Sequence, residues 1–409
     1  MCQQRAKRRN EFFGPRQGRG SYPSCMRVIS PGVVGAVAME ALVDKLRGAL
    51  WGSLIGDALA MPVHWYYDQA QLRRDFGSIT DYAAPKTRFA GSIMNLSNTG
   101  GGGRGSDTGH IIGDVICHGK RQFWLKGGQY HYHHGLRAGE GTLEASLERL
   151  LIRSLSKHGG RLDAGDFLKS YLGFMTTPGS HGDVYAGTCH RMFFANYVKG
   201  KDPGQCADND GHNVDTIDGL VPVIPVALAH LARRLSTPGS ADATQALSQD
   251  VKDVINVNRK SPSLLPKYGR VYAGMLEACL EGRDLQEVSE AAGRALGLDV
   301  PRMMAQTRQD PMCACYIDSA FPTLLYYLHK YGEVGPEEAL LRSTNAGGEN
   351  VARGALLGAL VGARHGFEKL PPRWVTGLVG REEVEEEVGG FVEAVVSPGG
   401  GEPVCGGER

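Results

Sequence analysis

Neither sign of charge predominates in this 409-residue chain: 45 lysines and arginines against 44 aspartates and glutamates leave a formal net charge of +1. That balance excludes the chain-wide basic character by which nucleic-acid binders hold a phosphate backbone. No apolar run reaches the about 18 to 20 residues needed to span a bilayer, which predicts a soluble chain with no membrane partner. Paired cysteines are missing as well. The nine cysteines, at positions 2, 25, 117, 189, 206, 279, 313, 315 and 405, are odd in number and lack the spacing of a zinc site. They read as free thiols in a reducing compartment, with the close pair Cys313 and Cys315 as buried core sulfur. β-Branched residues are sparse in the periodic stretches, where Ala, Leu, Gly and Arg dominate, so the body is expected to be all-α.

The ends differ from the middle. Residues 1–38 carry Arg5, Lys7, Arg8, Arg9, Arg16, Arg19 and Arg27 against the single acid Glu11, the composition of a disordered arm, an organellar transit peptide or leader sequence ahead of Met39. Localisation is accordingly cytoplasmic, or organellar if that arm is a targeting signal. Residues 39–370 carry the helical periodicity and are expected to form one compact helical domain with long structured loops over 76–130 and 174–216. Residues 371–409 read as an acidic, then glycine-rich, C-terminal tail, with a short surface helix over 381–389.

What is plentiful is glycine, 57 residues, and two sets of it are ordered. Gly48, Gly52 and Gly56 recur every four residues in a helix whose apolar face includes Leu42, Leu46, Leu50 and Leu54. Gly354, Gly358 and Gly362 do the same near the C-terminus. Each set lies along one helix face and lets another backbone approach closely. The first helix ends at Pro62, just after Asp57, an aspartate in apolar surroundings that needs a partner and is either a cap or a functional group. The second follows the turn Gly347-Gly348-Glu349-Asn350, where unpaired amides at a helix start suit a phosphate or help orient ligating oxygens.

Gly-Asp-Ala-x-x-x-Pro at 56–62, the Gly-Gly-acid turn at 347–349, the helix opened by Gly139-Glu140-Gly141-Thr142, and the segment from Asp218 to Leu228 together resemble the ADP-ribosylglycohydrolase family. The resemblance covers about residues 39–368. It implies a helical fold in which divalent ions, usually Mg²⁺, bind the ribose hydroxyls of an ADP-ribosyl group and orient a water toward the anomeric carbon. Carried onto this chain, it makes Glu140, Thr142, Glu349 and Asn350 the metal ligands; Asp57, His64, Trp65, Gly347, Gly348 and Asn213 are the further candidates for contact with the ligand. The chain departs from the pattern at three places. A Thr-Asp-Asp-Thr set is reduced to Glu140 and Thr142, an Asp-Thr-Asp-Thr set to Glu349 and Asn350 with Val351 and Ala352 following, and His64 stands where the family usually has a glutamate. Such a reduced set implies at most one Mg²⁺ or other divalent ion, or none.

Residues outside those motifs offer replacements. The loops His181-Gly182-Asp183-Val184-Tyr185 and Asp208 to Asp215 are dense in His and Asp. There Asp210 or His212 is the expected general base or ribose contact, against the plainer role of capping turns. His131-Tyr132-His133-His134 is a poor metal cluster, because successive side chains point in different directions. His64-Trp65-Tyr66-Tyr67 puts rings beside the cleft that suit an adenine as well as a core. Gly100 to Gly105 lacks the Gly-Lys-Ser/Thr ending and the preceding strand of a phosphate loop, and no chemistry is assigned to it.

The expected function is hydrolysis of an N- or O-glycosidic linkage of an ADP-ribosyl or related nucleoside-sugar group, with Glu140, Glu349 and Asp210 or His212 as catalytic groups. The partner is a small nucleotide-sugar or an ADP-ribosylated substrate. A catalytically silent nucleotide-sugar binding module on the same fold is the alternative, and a hydrolase with a changed leaving group is a third reading.

Overall fold

The computed structural model describes residues 31–94, 111–125, 127–211, 213–236 and 243–397. The glycine run 100–105 and His212 lie outside the described residues. The chain divides into two units, Met1–Ala38 and Met39–Arg409. Of the first, residues 31–38 are described and are helical.

The helices in chain order are α1 (Pro31–Ala60), α2 (Gln69–Phe76), α3 (Leu143–Lys157), α4 (Ala164–Thr176), α5 (Thr188–Tyr197), α6 (Val223–Ser236), α7 (Ala243–Ile255) and α8 (Leu264–Leu280). They continue with α9 (Leu285–Leu296), α10 (Val300–Gln306), α11 (Ile317–Tyr331), α12 (Pro336–Ala346), α13 (Val351–His365), α14 (Pro372–Gly377) and α15 (Arg381–Val396). Among the described residues the remaining backbone pairing amounts to isolated bridges such as Thr216 with Tyr316. The fold is all-α, as the composition predicts. No described helix is long and apolar enough to cross a membrane.

Two helices form the centre. Every residue from Gly48 to His64, and every residue from Val351 to Ala363, is buried, so over these stretches neither helix keeps a polar face for water. They lie antiparallel, glycine on glycine: Gly48 faces Gly362, Gly52 faces Gly358 and Gly56 faces Gly354. A Cβ on Gly354 would stand 2.5 Å from the Gly56 carbonyl oxygen, which only glycine avoids. Relative to alanine, these six positions forgo about 6 kcal/mol of helix propensity; close backbone packing offsets it. Helices α8, α11 and α12 pack around α13. Because α1 ends where α13 begins, the pairing sets the stretch after Pro62 beside the turn at Gly347–Asn350, nearly 300 residues away in sequence.

One expected boundary is corrected. Residues 371–396 are not a tail: Trp374, Val384, Val388, Phe391 and Val395 are buried, and α15 packs along α3. Arg149 Nε donates to Glu387 Oε2 at 2.6 Å, and Arg153 pairs with the same carboxylate. Glu382, Glu383, Glu385 and Glu386 form the outer face of an amphipathic helix whose inner face repeats every three or four residues. The expected loops 76–130 and 174–216 also contain a short helical turn at Arg121–Trp124, and the helix α5.

A candidate active-site cleft

The turn before α13 is held from three sides. The amide of Trp65 donates to Gly348 O at 2.9 Å, and that of Gly348 to Tyr66 O at 2.8 Å, so the two turns are laced backbone to backbone. Gly347 and Gly348 take φ of 74° and 66°, the left-handed region that favours glycine, and a Cβ on Gly348 would meet Cys313 O at 2.5 Å. Arg353, fully buried, donates to the carbonyls of Ser343, Gly347 and Glu349 at 2.8 to 3.0 Å. This scaffold fixes Glu349, whose side chain is 3% exposed. Its Oε2 accepts from Trp65 Nε1 at 2.7 Å and lies 3.1 Å from His64 Nε2. Its Oε1 accepts from the amide of Ala352 at 3.2 Å. Trp65 has φ of 59°, costly for so bulky a residue, and that backbone turns its indole onto the carboxylate.

From Glu349 a continuous hydrogen-bonded chain runs inward. His64 Nδ1 lies 2.7 Å from His133 Nε2, with ring planes 6° apart. His133 Nδ1 lies 2.9 Å from Asp183 Oδ2. Asp183 also accepts from the amides of Leu143 at 3.0 Å and Tyr185 at 3.2 Å. Burial alone would push the Asp183 carboxyl up. The His133 charge and hydrogen bond, with the Leu143 amide, outweigh it and hold Asp183 down to about 2. Behind this chain, Asp57 accepts from the amide and the hydroxyl of Thr142, at 2.7 and 2.8 Å, and burial pushes its carboxyl up to about 7. The Thr142 oxygen in turn accepts from the amide of Glu144 and caps α3.

His64, Trp65, His133, Thr142, Asp183, Tyr185, Asn213, Asp218, Cys315 and Glu349 are among the residues that line one cleft, with a cavity volume of about 100 Å³. Glu144, in the first turn of α3, also lines the cleft and lies 3.0 Å from His190 Nε2. Asp218 is held below the usual carboxylate range: burial opposes this, but Arg259 at 2.9 Å outweighs it. Trp65 and Tyr185 meet edge to face at 5.0 Å, and Tyr185 stacks on Trp124, an aromatic wall for a planar group.

Of the residues read from the sequence, Glu349, His64, Trp65, Thr142 and Asn213 line this cleft. Asp57 stands behind Thr142. Gly347 and Gly348 shape the turn behind Glu349. Glu140 does not join them. It lines a separate cavity with His181, Gly182 and Gly380, where its Oε2 accepts from the Arg137 amide and Nε at 3.0 and 3.2 Å. The positive φ of Gly139 turns the chain so that Thr142 and Glu144, not Glu140, face the cleft. The expected meeting of Glu140 and Glu349 on one cation is therefore corrected. Asn350 is fully buried and donates to Val63 O and Thr344 O; its Oδ1 has no hydrogen-bond partner but is not on the cleft wall. Asp210 is off the wall too. It accepts from the amide and side chain of Asn213 at 2.7 and 2.8 Å and so orients that residue. Among the described residues no three His, Cys, Asp or Glu side chains are grouped to hold an ion, so the four implied ligands do not fit the family's metal centre.

His133, Asp183 and Glu144 escaped assignment in the sequence, and Asp218 was singled out only as the start of a segment that resembles the family. The signal for the first two was present as dense His and Asp in two loops, but nothing in either segment points to the other.

A sequence model described as ADP-ribosylglycohydrolase matches residues 38–400. A solved structure described as an "ADP-ribosylglycohydrolase-related protein complex" resembles the chain with a TM-score of 0.56 at 19% identity, over 87% of this chain and 99% of that one; at this identity the likeness concerns the fold. No curated protein matches the chain.

Proposed function

The chain belongs to the ADP-ribosylglycohydrolase family, and from that premise we propose that its cleft binds an ADP-ribosyl or related nucleoside-sugar group and hydrolyses the N- or O-glycosidic bond. The observation that carries this reading is Glu349, held at the cleft wall against His64 and beside the Trp65–Tyr185 aromatic wall. In hydrolysis, water adds to the anomeric carbon, the bond to the leaving group breaks, and the proton lost by the water ends on the leaving group. Glu349 and His64 form a carboxylate–imidazole pair able to take up and return that proton. Glu144 offers a second carboxylate at the cleft, and the rings accept the base. Asp210 acts by holding Asn213 in place.

One observation favours the silent binding module as a second reading. Trp65, His64 and Ala352 already occupy the Glu349 oxygens, so this carboxylate reaches a water only by giving up one of those partners. Calorimetric titration of ADP-ribose into the full chain, once with Mg²⁺ and once with chelator, tests the ligand class; no binding in either sinks the reading. Release of the sugar from an ADP-ribosylated substrate then separates the two functions. Turnover abolished in Glu349→Gln with binding kept supports the hydrolase, and binding without turnover in the parent supports the module.

A further inference from the structure

Three successive carbonyl oxygens of the loop that carries Asp183 point at one atom. Lys120 Nζ donates to His181 O at 3.0 Å, to Gly182 O at 2.7 Å and to Asp183 O at 2.7 Å, which engages each of the three N–H groups that an ammonium carries. Carbonyl dipoles converging with their negative ends together repel one another unless a donor or a cation stands at their focus, and rings of backbone carbonyls replace the hydration shell of potassium in the same way. We propose that residues 181–183 form a monovalent-cation site filled by the chain's own Lys120, and that this charge sets the loop that brings Asp183 and Tyr185 to the cleft. Lys120 is not on the cleft wall, and it acts as a positioning residue.

Apolar burial contributes little to the start of this loop. Between α4 and α5 the backbone is not helical, and Thr177, Pro178, Gly179 and Gly182 are exposed. What holds the loop comes from residues 118–124. His118 Nε2 lies 3.0 Å from Thr176 O, and Trp124 Nε1 donates to Val184 O at 2.8 Å. Side chains of this one segment thus meet five backbone carbonyls between Thr176 and Val184, with Lys120 taking three of them. The turn that aims Lys120 is itself strained. Cys117 takes φ of 49°, a conformation costly for a residue with a side chain and kept where the surroundings over-determine it.

Three neutral oxygens around one point suit a singly charged, weakly hydrated ion. A hard divalent ion would keep several waters or require carboxylate ligands, and a guanidinium, planar and forked, could not direct three N–H groups from a single atom. Ammonium and potassium are close in size, so potassium fits the same focus once the lysine side chain is removed. The loop then passes its geometry on. The Asp183 carboxylate accepts from the amides of Leu143 and Tyr185 at 3.0 and 3.2 Å, which links the Lys120 charge to the start of α3 and to the aromatic wall. The cation site is independent of which ligand the cleft binds.

The test reads hydrogen exchange at the Leu143 and Tyr185 amides of the full chain, without nucleotide, by nitrogen-edited NMR. In Lys120→Ala, exchange is expected to be at least about tenfold faster than in the parent when the salt is tetramethylammonium chloride. It should return to the parent rate in potassium chloride or methylammonium chloride of equal concentration, while the parent exchanges alike in all three salts. Lys120→Met fills the space without the charge and should stay fast in every salt. Parent-like exchange in Lys120→Met would overturn the proposal. So would fast exchange in Lys120→Ala that is the same in all three salts, since loss of packing alone has no preference among cations. Should Lys120→Ala not fold in tetramethylammonium chloride, folding regained in potassium chloride supports the site, and failure in all three salts overturns it.

Discussion

Replacing Gly354 by alanine tests the central helix pair directly. In an ordinary exposed helix this change stabilises by about 1 kcal/mol, since alanine is the better helix former. Here the new Cβ would lie 2.5 Å from the Gly56 oxygen, where ordinary contact begins at 3.4 Å. The helices must part by the difference, about 0.9 Å, because the obstructing atom is backbone and has no other rotamer. A radial gap of about 0.5 to 1 Å forfeits a quarter to a half of each van der Waals contact along the seam. Overpacking of this kind costs about 1 to 3 kcal/mol, and with immovable backbone on both sides the upper end applies. Set against the propensity gain, the expected net loss is about 2 kcal/mol. Gly389→Ala is the control: it sits in α15, exposed, with no atom within 4 Å of the added methyl, and should gain about 1 kcal/mol. Denaturant titration of both variants reads the sign. A Gly354→Ala protein as stable as Gly389→Ala would refute the close glycine pairing and the placement of His64 beside Glu349 that depends on it.

Burial raises Asp57 to about 7 from an ordinary value near 4, so the folded chain keeps a proton that the unfolded chain releases. Its contribution to stability is therefore present below about 4 and is lost as pH rises to about 7, by a few kcal/mol at most; Asp57→Asn should flatten that slope in denaturant midpoints, and identical slopes would count against the assignment. Asp183, held down to about 2, acts with the opposite sign, its contribution being lost only as pH falls from about 4 toward 2. Thr142→Val removes both the hydrogen bond to Asp57 and the cap on α3, for an expected loss of about 1 to 3 kcal/mol, while Thr142→Ser should recover most of it; equal losses in the two would show that the hydroxyl is not what holds the helix start.

The glycine stripes, the stop at Pro62 and the turn at Gly347–Asn350 were all legible in the sequence, because each is a local demand of backbone geometry. That the stripes face one another was not, since a period marks a face and not its partner. The same limit hid the contact of His133 with Asp183: both lie in aperiodic loops, separated in sequence by α3 and α4. Glu140 and Glu144 lie on one side and the other of a helix start, and a single glycine of positive φ decides which of them reaches the cleft. At 381–396 the glutamates were read as composition, while Val384, Val388, Phe391 and Val395 carried the period that places α15 in the core.

The glycine seam also divides the cleft into unequal halves. His64 and Glu349 hang from two helix ends locked backbone to backbone, where no side chain can change rotamer to relieve or admit movement. Tyr185, Asn213 and Asp218 stand on loops and short turns, the parts of a fold that open most readily. The two groups proposed to carry the chemistry are thus mounted on a fixed jaw, and accommodation of ligands of different shape falls to the other.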